Sequence, residues 1–148
     1  MVKEEKEMMM VSAKVPDQPA GWLETKSPKS VMIRLQEYIE TAKKNPTSMN
    51  STLAGNISKS LLLKDKDDWL FQTLLLPLIG KYVEEYPEYV SGIGVLTENA
   101  PYCLNGFWVN FQKENEFNPL HNHNGVFSFV IWVKIPTDWR EQHALPIS

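Results

Sequence analysis

Apolar residues first fall into a repeat at Val31, Met32, Leu35, Tyr38, Ile39 and Ala42. Steps of three and four place them on one face of a helix, which the pattern predicts over residues 28–44. Ser27-Pro28 supplies Ser at the cap and Pro at the first helical position. Lys43-Lys44-Asn45 before Pro46 closes the helix. A second set, Trp69, Leu70, Leu74, Leu78, Ile79, Tyr82 and Val83, predicts the inner face of a helix over 67–86. Asp65, Asp67 and Asp68 lead it, where acids suit the helix dipole. Pro77 kinks it or marks a new start.

The remaining pattern is less regular. Residues 1–25 read as an arm, with Met8-Met9-Met10-Val11 a short strand, breaks at Pro16, Pro19 and Gly21, and Trp22-Leu23 tucked against the body. Residues 46–60, rich in Ser, Thr, Asn and Gly, read as a loop. After Pro101 the texture becomes aromatic and β-branched. Phe107 to Gln112 predicts a strand, with Trp108, Asn110 and Gln112 on one face. Phe127 to Ile135 is almost wholly apolar and predicts a strand covered on both faces. The domains expected are therefore an arm, 1–25, and a body, 26–148. Helices come first and strands last. Two strands alone are marginal, so the β region reads as the beginning of a larger sheet.

Composition narrows the function. Fifteen Lys and Arg against 18 Asp and Glu give a net charge of −3, and no basic stripe argues for nucleic acid. The longest apolar run, Leu74 to Ile79, contains Pro77 and is too short to span a bilayer. The N-terminus has no secretory pattern, so the expectation is a cytoplasmic protein. The single cysteine, Cys103, forms no internal disulfide and reads as a small buried or half-buried apolar residue. Glu114 and Glu116 read as solvated loop charges, and the Trp and Tyr residues as core.

The chemistry concentrates in Asn118-Pro119-Leu120-His121-Asn122-His123-Asn124-Gly125, which holds two of the three histidines. Residues two apart in an extended segment point to one side, so His121 and His123 can converge on one ion. Imidazole suits Fe, Zn, Cu and Ni. The spacing alone is weak, and a polar turn with backbone-bonded histidines is the plain alternative. Asn118, Asn122 and Asn124 could orient the rings.

Three blocks occur in order: Phe107-Trp108-Val109-Asn110-Phe111-Gln112, then Glu116-Phe117-Asn118-Pro119-Leu120-His121-Asn122-His123, then Ser128 to Pro136. Together they resemble the strand, metal loop and strand of phage and marine-bacterial 2-oxoglutarate/Fe(II)-dependent dioxygenases, which are prolyl-4-hydroxylase-like. The resemblance covers about residues 100–148. It implies an α+β fold, with N-terminal helices packed on a double-stranded β-helix, or jelly roll, of which only the first strands are present. It implies Fe(II) and 2-oxoglutarate, with ascorbate as an accessory reductant, and oxidation of a substrate C–H bond.

His121 matches the first metal ligand of that family. His123 stands where the family has a carboxylate, a departure that gives either an all-histidine site or one whose third ligand is water. The distal His and the Arg or Lys that binds 2-oxoglutarate fall beyond Ser148 in the family pattern, and His143 sits in the wrong kind of segment to replace the distal His. Asn110 and Gln112 are candidate 2-oxoglutarate or substrate contacts, with ordinary polar positions of a sheet face as the plain alternative, and no catalytic group beyond the metal ligands is expected. The substrate class stays open between protein side chain, nucleobase and small metabolite. The competing expectation is a cupin-like β domain with a non-catalytic binding role, or a phage structural component.

Overall fold

The structure is a computed structural model that describes residues 11–14, 21–92, 100–138, 140–141 and 144. A hairpin opens it: β1 (Val11–Lys14) pairs antiparallel with β2 (Trp22–Thr25). The expected Met8-Met9-Met10 part of the first strand lies outside the described residues, as does His143. Leu23 is half-buried, but Trp22 is 48% exposed and its indole N–H donates to Glu24 instead of tucking inward. The hairpin is tied to the helices by Tyr82, whose hydroxyl donates to the Gly21 carbonyl at 3.0 Å.

The first helix, α1 (Lys29–Lys44), follows the apolar repeat and buries Val31, Leu35, Tyr38, Ile39 and Ala42. Its start differs from expectation. Pro28 is the cap residue, not the first helical one, and Ser27 makes no capping bond. The Pro28 carbonyl accepts the first helical N–H, from Met32. Fixed φ and a missing N–H make proline tolerable at this boundary.

The second helical segment is built in three parts. A 3₁₀ turn, Lys66–Asp68, includes Asp67 and Asp68 at φ of 58° and 52°. Asp accepts this left-handed backbone better than most residues. These two acids therefore precede the helix rather than occupy its first turn. The capping falls to Asp65, whose two carboxylate oxygens accept the N–H groups of Leu70 and Phe71 at 2.9 and 2.8 Å.

A π-turn, Phe71–Leu75, then leads into α2 (Leu76–Glu85), with Pro77 in its first turn. Proline cannot donate to the carbonyl four residues back and its ring crowds that group, so the wider turn accommodates it. The turn also brings Phe71 and Leu75 into the core beside Leu70 and Leu74. Leu78, Ile79, Tyr82 and Val83 are only half-buried. A short α3 (Pro87–Gly92) follows.

Two strands then meet. β3 (Ser60–Leu62) pairs antiparallel with β4 (Trp108–Asn110), Leu61 opposite Val109. Bonds from Leu63 N–H to Phe107 O and from Phe111 N–H to Lys59 O, both 2.9 Å, extend the ladder at each end. On its other edge β3 meets the 46–60 segment through the Ser48–Leu61 bridge and the Leu62 N–H to Thr47 O bond. That segment was expected to be loop throughout. Leu61, Leu63 and Phe107 join the helix residues in one core.

Residues 127–135 differ most from expectation. They form no strand among the described residues, and only one side is covered. Ile131 and Val133 pack on the core, and the Phe129 ring lies 6.1 Å from that of Phe107. Val130, Trp132 and Ile135 are 72%, 73% and 60% exposed. Exposure alternates at 130–134 as in a strand, yet no described neighbour pairs with its edges. Cys103 is also exposed, because Tyr102 and Leu104 take the inward positions around it. No helix among the described residues is long and apolar enough to cross a membrane.

Candidate metal and cosubstrate site

The β3–β4 pair has two faces. Leu61, Phe107, Val109 and Phe111 face the helices and the core. Trp108, Asn110 and Gln112 alternate with them and lie on the opposite face. Asn110 sits across from Ser60, which is 2% exposed and donates its hydroxyl to Asn110 Oδ1 at 2.8 Å. A buried hydroxyl must be paired, so this contact secures the strand register as much as it presents a ligand group. Gln112 Nε2 donates to the Glu116 carbonyl. Both expected cosubstrate residues thus have one amide atom committed to the fold. Among the described residues, Asn110 Nδ2 and Gln112 Oε1 have no protein partner.

Beyond β4 the chain turns at Lys113–Glu116, with Asn115 at φ 63°. Glu116 is half-buried and is not the free loop charge expected from sequence. Its carboxylate accepts Ser58 N–H at 3.0 Å and Lys113 N–H at 2.9 Å. Hydrogen bonding from Ser58, then from Lys113, holds its carboxyl below the usual range. Next to it, Asn56 and Phe117 exchange two backbone bonds, 2.8 and 3.3 Å long. Residues 56–58 therefore strap 116–117 in place.

His121 and His123 follow on the same loop. Neither lies on a strand, and both are exposed. Their rings nevertheless sit side by side, with centroids 4.6 Å apart and planes at 53°. With metal–nitrogen bonds of about 2 Å, two imidazoles at right angles on one ion have centroids roughly 4–5 Å apart. The spacing therefore fits two adjacent ligand positions.

His121 Nδ1 lies 2.7 Å from the Pro119 carbonyl. A carbonyl only accepts, so Nδ1 carries the proton and Nε2 of the neutral ring is left bare for an ion. Gly125, at φ +150°, turns the chain out of the loop with a backbone that side chains rarely adopt. The donor set is two imidazoles: among the described residues no three His, Cys, Asp or Glu side chains are grouped to hold a metal. Asn122 and Asn124 are exposed.

The strap from 56–58 was not legible from the sequence. The one available signal was Glu116, an acid beside a turn, which could have been read as a backbone acceptor.

No family model, no characterised protein and no solved structure matches this chain.

Proposed function

We propose that this chain carries the metal-binding part of a non-haem Fe(II)/2-oxoglutarate-dependent oxygenase, a hydroxylase whose strands belong to a jelly roll backed by α1 and α2. The observation that carries the reading is the placement of the His121 and His123 rings, 4.6 Å apart, with His121 Nδ1 held by a carbonyl. His121 and His123 would hold the iron. When bound, Fe(II) with O₂ supplies the chemistry that converts 2-oxoglutarate to succinate and CO₂. One oxygen atom would enter succinate and the other would be inserted into the substrate C–H bond. Ascorbate serves to keep the iron reduced.

The chain's own groups have simpler tasks. Pro119 O fixes the proton of His121. Asn110 Nδ2 and Gln112 Oε1, on the face turned away from the helices, would orient a polar cosubstrate or substrate. Exposed Leu120, next to His121 in the chain, supplies apolar surface. The substrate is a C–H compound in the range from protein side chain to nucleobase to small metabolite.

A second reading, a cupin-like β domain that binds a partner without catalysis, has one observation in its favour. Asn110 and Gln112 each spend one amide atom on the fold. Anaerobic titration with Fe(II), or with Co(II) as a redox-stable probe, separates the two. The oxygenase reading expects one ion bound per chain and loss of binding in His121→Ala. Equal metal binding by wild type and the double variant His121→Ala, His123→Ala overturns it.

A further inference from the structure

The histidine loop has a support that comes from far along the chain. Gly55 lies directly against the side chain of Asn118. A Cβ at position 55 would overlap Asn118 Oδ1 and come within 3.3 Å of its Cγ. Asn118 is followed by Pro119, whose ring fixes φ and whose carbonyl holds His121 Nδ1. On the N-terminal side, Phe117 is bonded to Asn56 through both backbone groups, and Glu116 to Ser58 N–H. Every residue from 116 to 118 is therefore seated on the segment 55–58, and the next carbonyl sets the tautomer of His121.

We propose that segment 55–58 is the positioning element of the histidine pair. Through the Gly55–Asn118 contact it aims the Pro119 carbonyl at His121 Nδ1, so that His121 presents Nε2 to a metal. Gly55 and Asn118 are positioning residues and touch no ligand themselves. The absence of a side chain at 55 is what lets Asn118 approach. The inference rests on the metal reading for its purpose, but its geometry is testable without any metal.

The test is long-range ¹H–¹⁵N NMR of the imidazoles in the full 148-residue chain, with both rings uncharged. Free histidine favours the Nε2–H form, so an Nδ1–H signature at His121 is diagnostic. Wild type is expected to show it. Gly55→Ala and Asn118→Ala are each expected to lose it, while amide signals of α1 and α2 stay in place. The double variant should match Asn118→Ala alone, because the added methyl then has nothing to displace. If Gly55→Ala fails to fold, Asn118→Ala carries the test, since it only removes atoms.

Co(II) affinity should fall about 10–100-fold in the single variants, the usual effect of disturbing a group that orients a ligand. An Nε2–H form in wild type, an unchanged tautomer in both single variants, or additive effects in the double variant would each overturn the inference. A wild type that binds no Co(II) but shows the tautomer shift defeats the function reading and leaves the positioning role standing.

Discussion

The Tyr38 hydroxyl donates to Asp65 Oδ1 at 3.0 Å, joining the middle of α1 to the carboxylate that caps the second helical segment. The same oxygen of Asp65 accepts Leu70 N–H, and its other oxygen accepts Phe71 N–H. Arg34 Nε donates to the Tyr38 hydroxyl at 3.3 Å, and its guanidinium lies 5.5 Å from the ring centres of Tyr38 and Trp69. Asp65→Ala should therefore cost more than an ordinary cap, which is worth about 1–2 kcal/mol. Tyr38→Phe should cost about 1.5–3 kcal/mol, the range for a hydrogen bond to a charged group. Urea unfolding of the two single variants and the double variant checks this. Strict additivity would mean that the two groups do not act together.

Leu70 has no exposed surface and Leu35 is 2% exposed. Truncating either to Ala should cost about 2–5 kcal/mol. Trp132→Lys, at a site 73% exposed, should change stability by less than about 0.5 kcal/mol. Thermal or denaturant melts of the three variants decide the matter, and a large loss for Trp132→Lys would mean its outer face is covered.

The lowered carboxyl of Glu116 makes a pH prediction. A carboxyl whose folded value lies below its ordinary 4.5 contributes stability that is fully present above that value. The contribution is lost as pH falls through the lower folded value. Glu116→Gln should thus be less stable than wild type near neutral pH, with the gap closing in acid below the ordinary value. Denaturant unfolding of both proteins across that range tests it. A gap that widens in acid would contradict the assignment of Ser58 and Lys113 as its partners.

With two imidazoles among the described residues in place of a facial triad, the chain should bind Fe(II) weakly and convert little 2-oxoglutarate. Succinate formation with Fe(II), ascorbate and O₂ measures this. Robust turnover would show that residues of this chain complete the ligand set.

Val130 and Trp132 form an exposed apolar row, and Ile135 is exposed beyond it, on a segment whose edges no described strand pairs. Such a row favours association. Light scattering should therefore show aggregation that Val130→Lys and Trp132→Lys reduce. Unchanged scattering would place the association elsewhere.

The helices were legible because their evidence is local. Val31, Leu35, Ile39 and Ala42 repeat within one segment, and Pro77 announces its own disturbance. β3 was not, since Ser60-Leu61-Leu62-Leu63 is a short apolar run with no alternation, and its partners at 47 and 108–110 lie elsewhere in the chain. The histidine pair was readable from its two-residue spacing. Its supports were not: Asn56 meets Phe117, Ser58 meets Glu116 and Gly55 meets Asn118 across some sixty residues. The apolar run at 127–135 forms no strand among the described residues, because such a run reports what could be buried, not which neighbour buries it. Nor does the sequence announce that Asn110 and Gln112 each commit one amide atom to the fold, at Ser60 and at Glu116.

The position of β3 has a consequence in time. Its Leu62 N–H is held by Thr47 on one edge, and the following Leu63 N–H by Phe107 on the other. Neither proton can reach water until an edge is peeled away. Hydrogen–deuterium exchange at these two amides should therefore follow opening of the whole body, while that of exposed His121 and His123 keeps pace with local breathing. Two inconspicuous leucines then serve as the slowest clock in the molecule, against which every looser motion of the histidine loop can be timed.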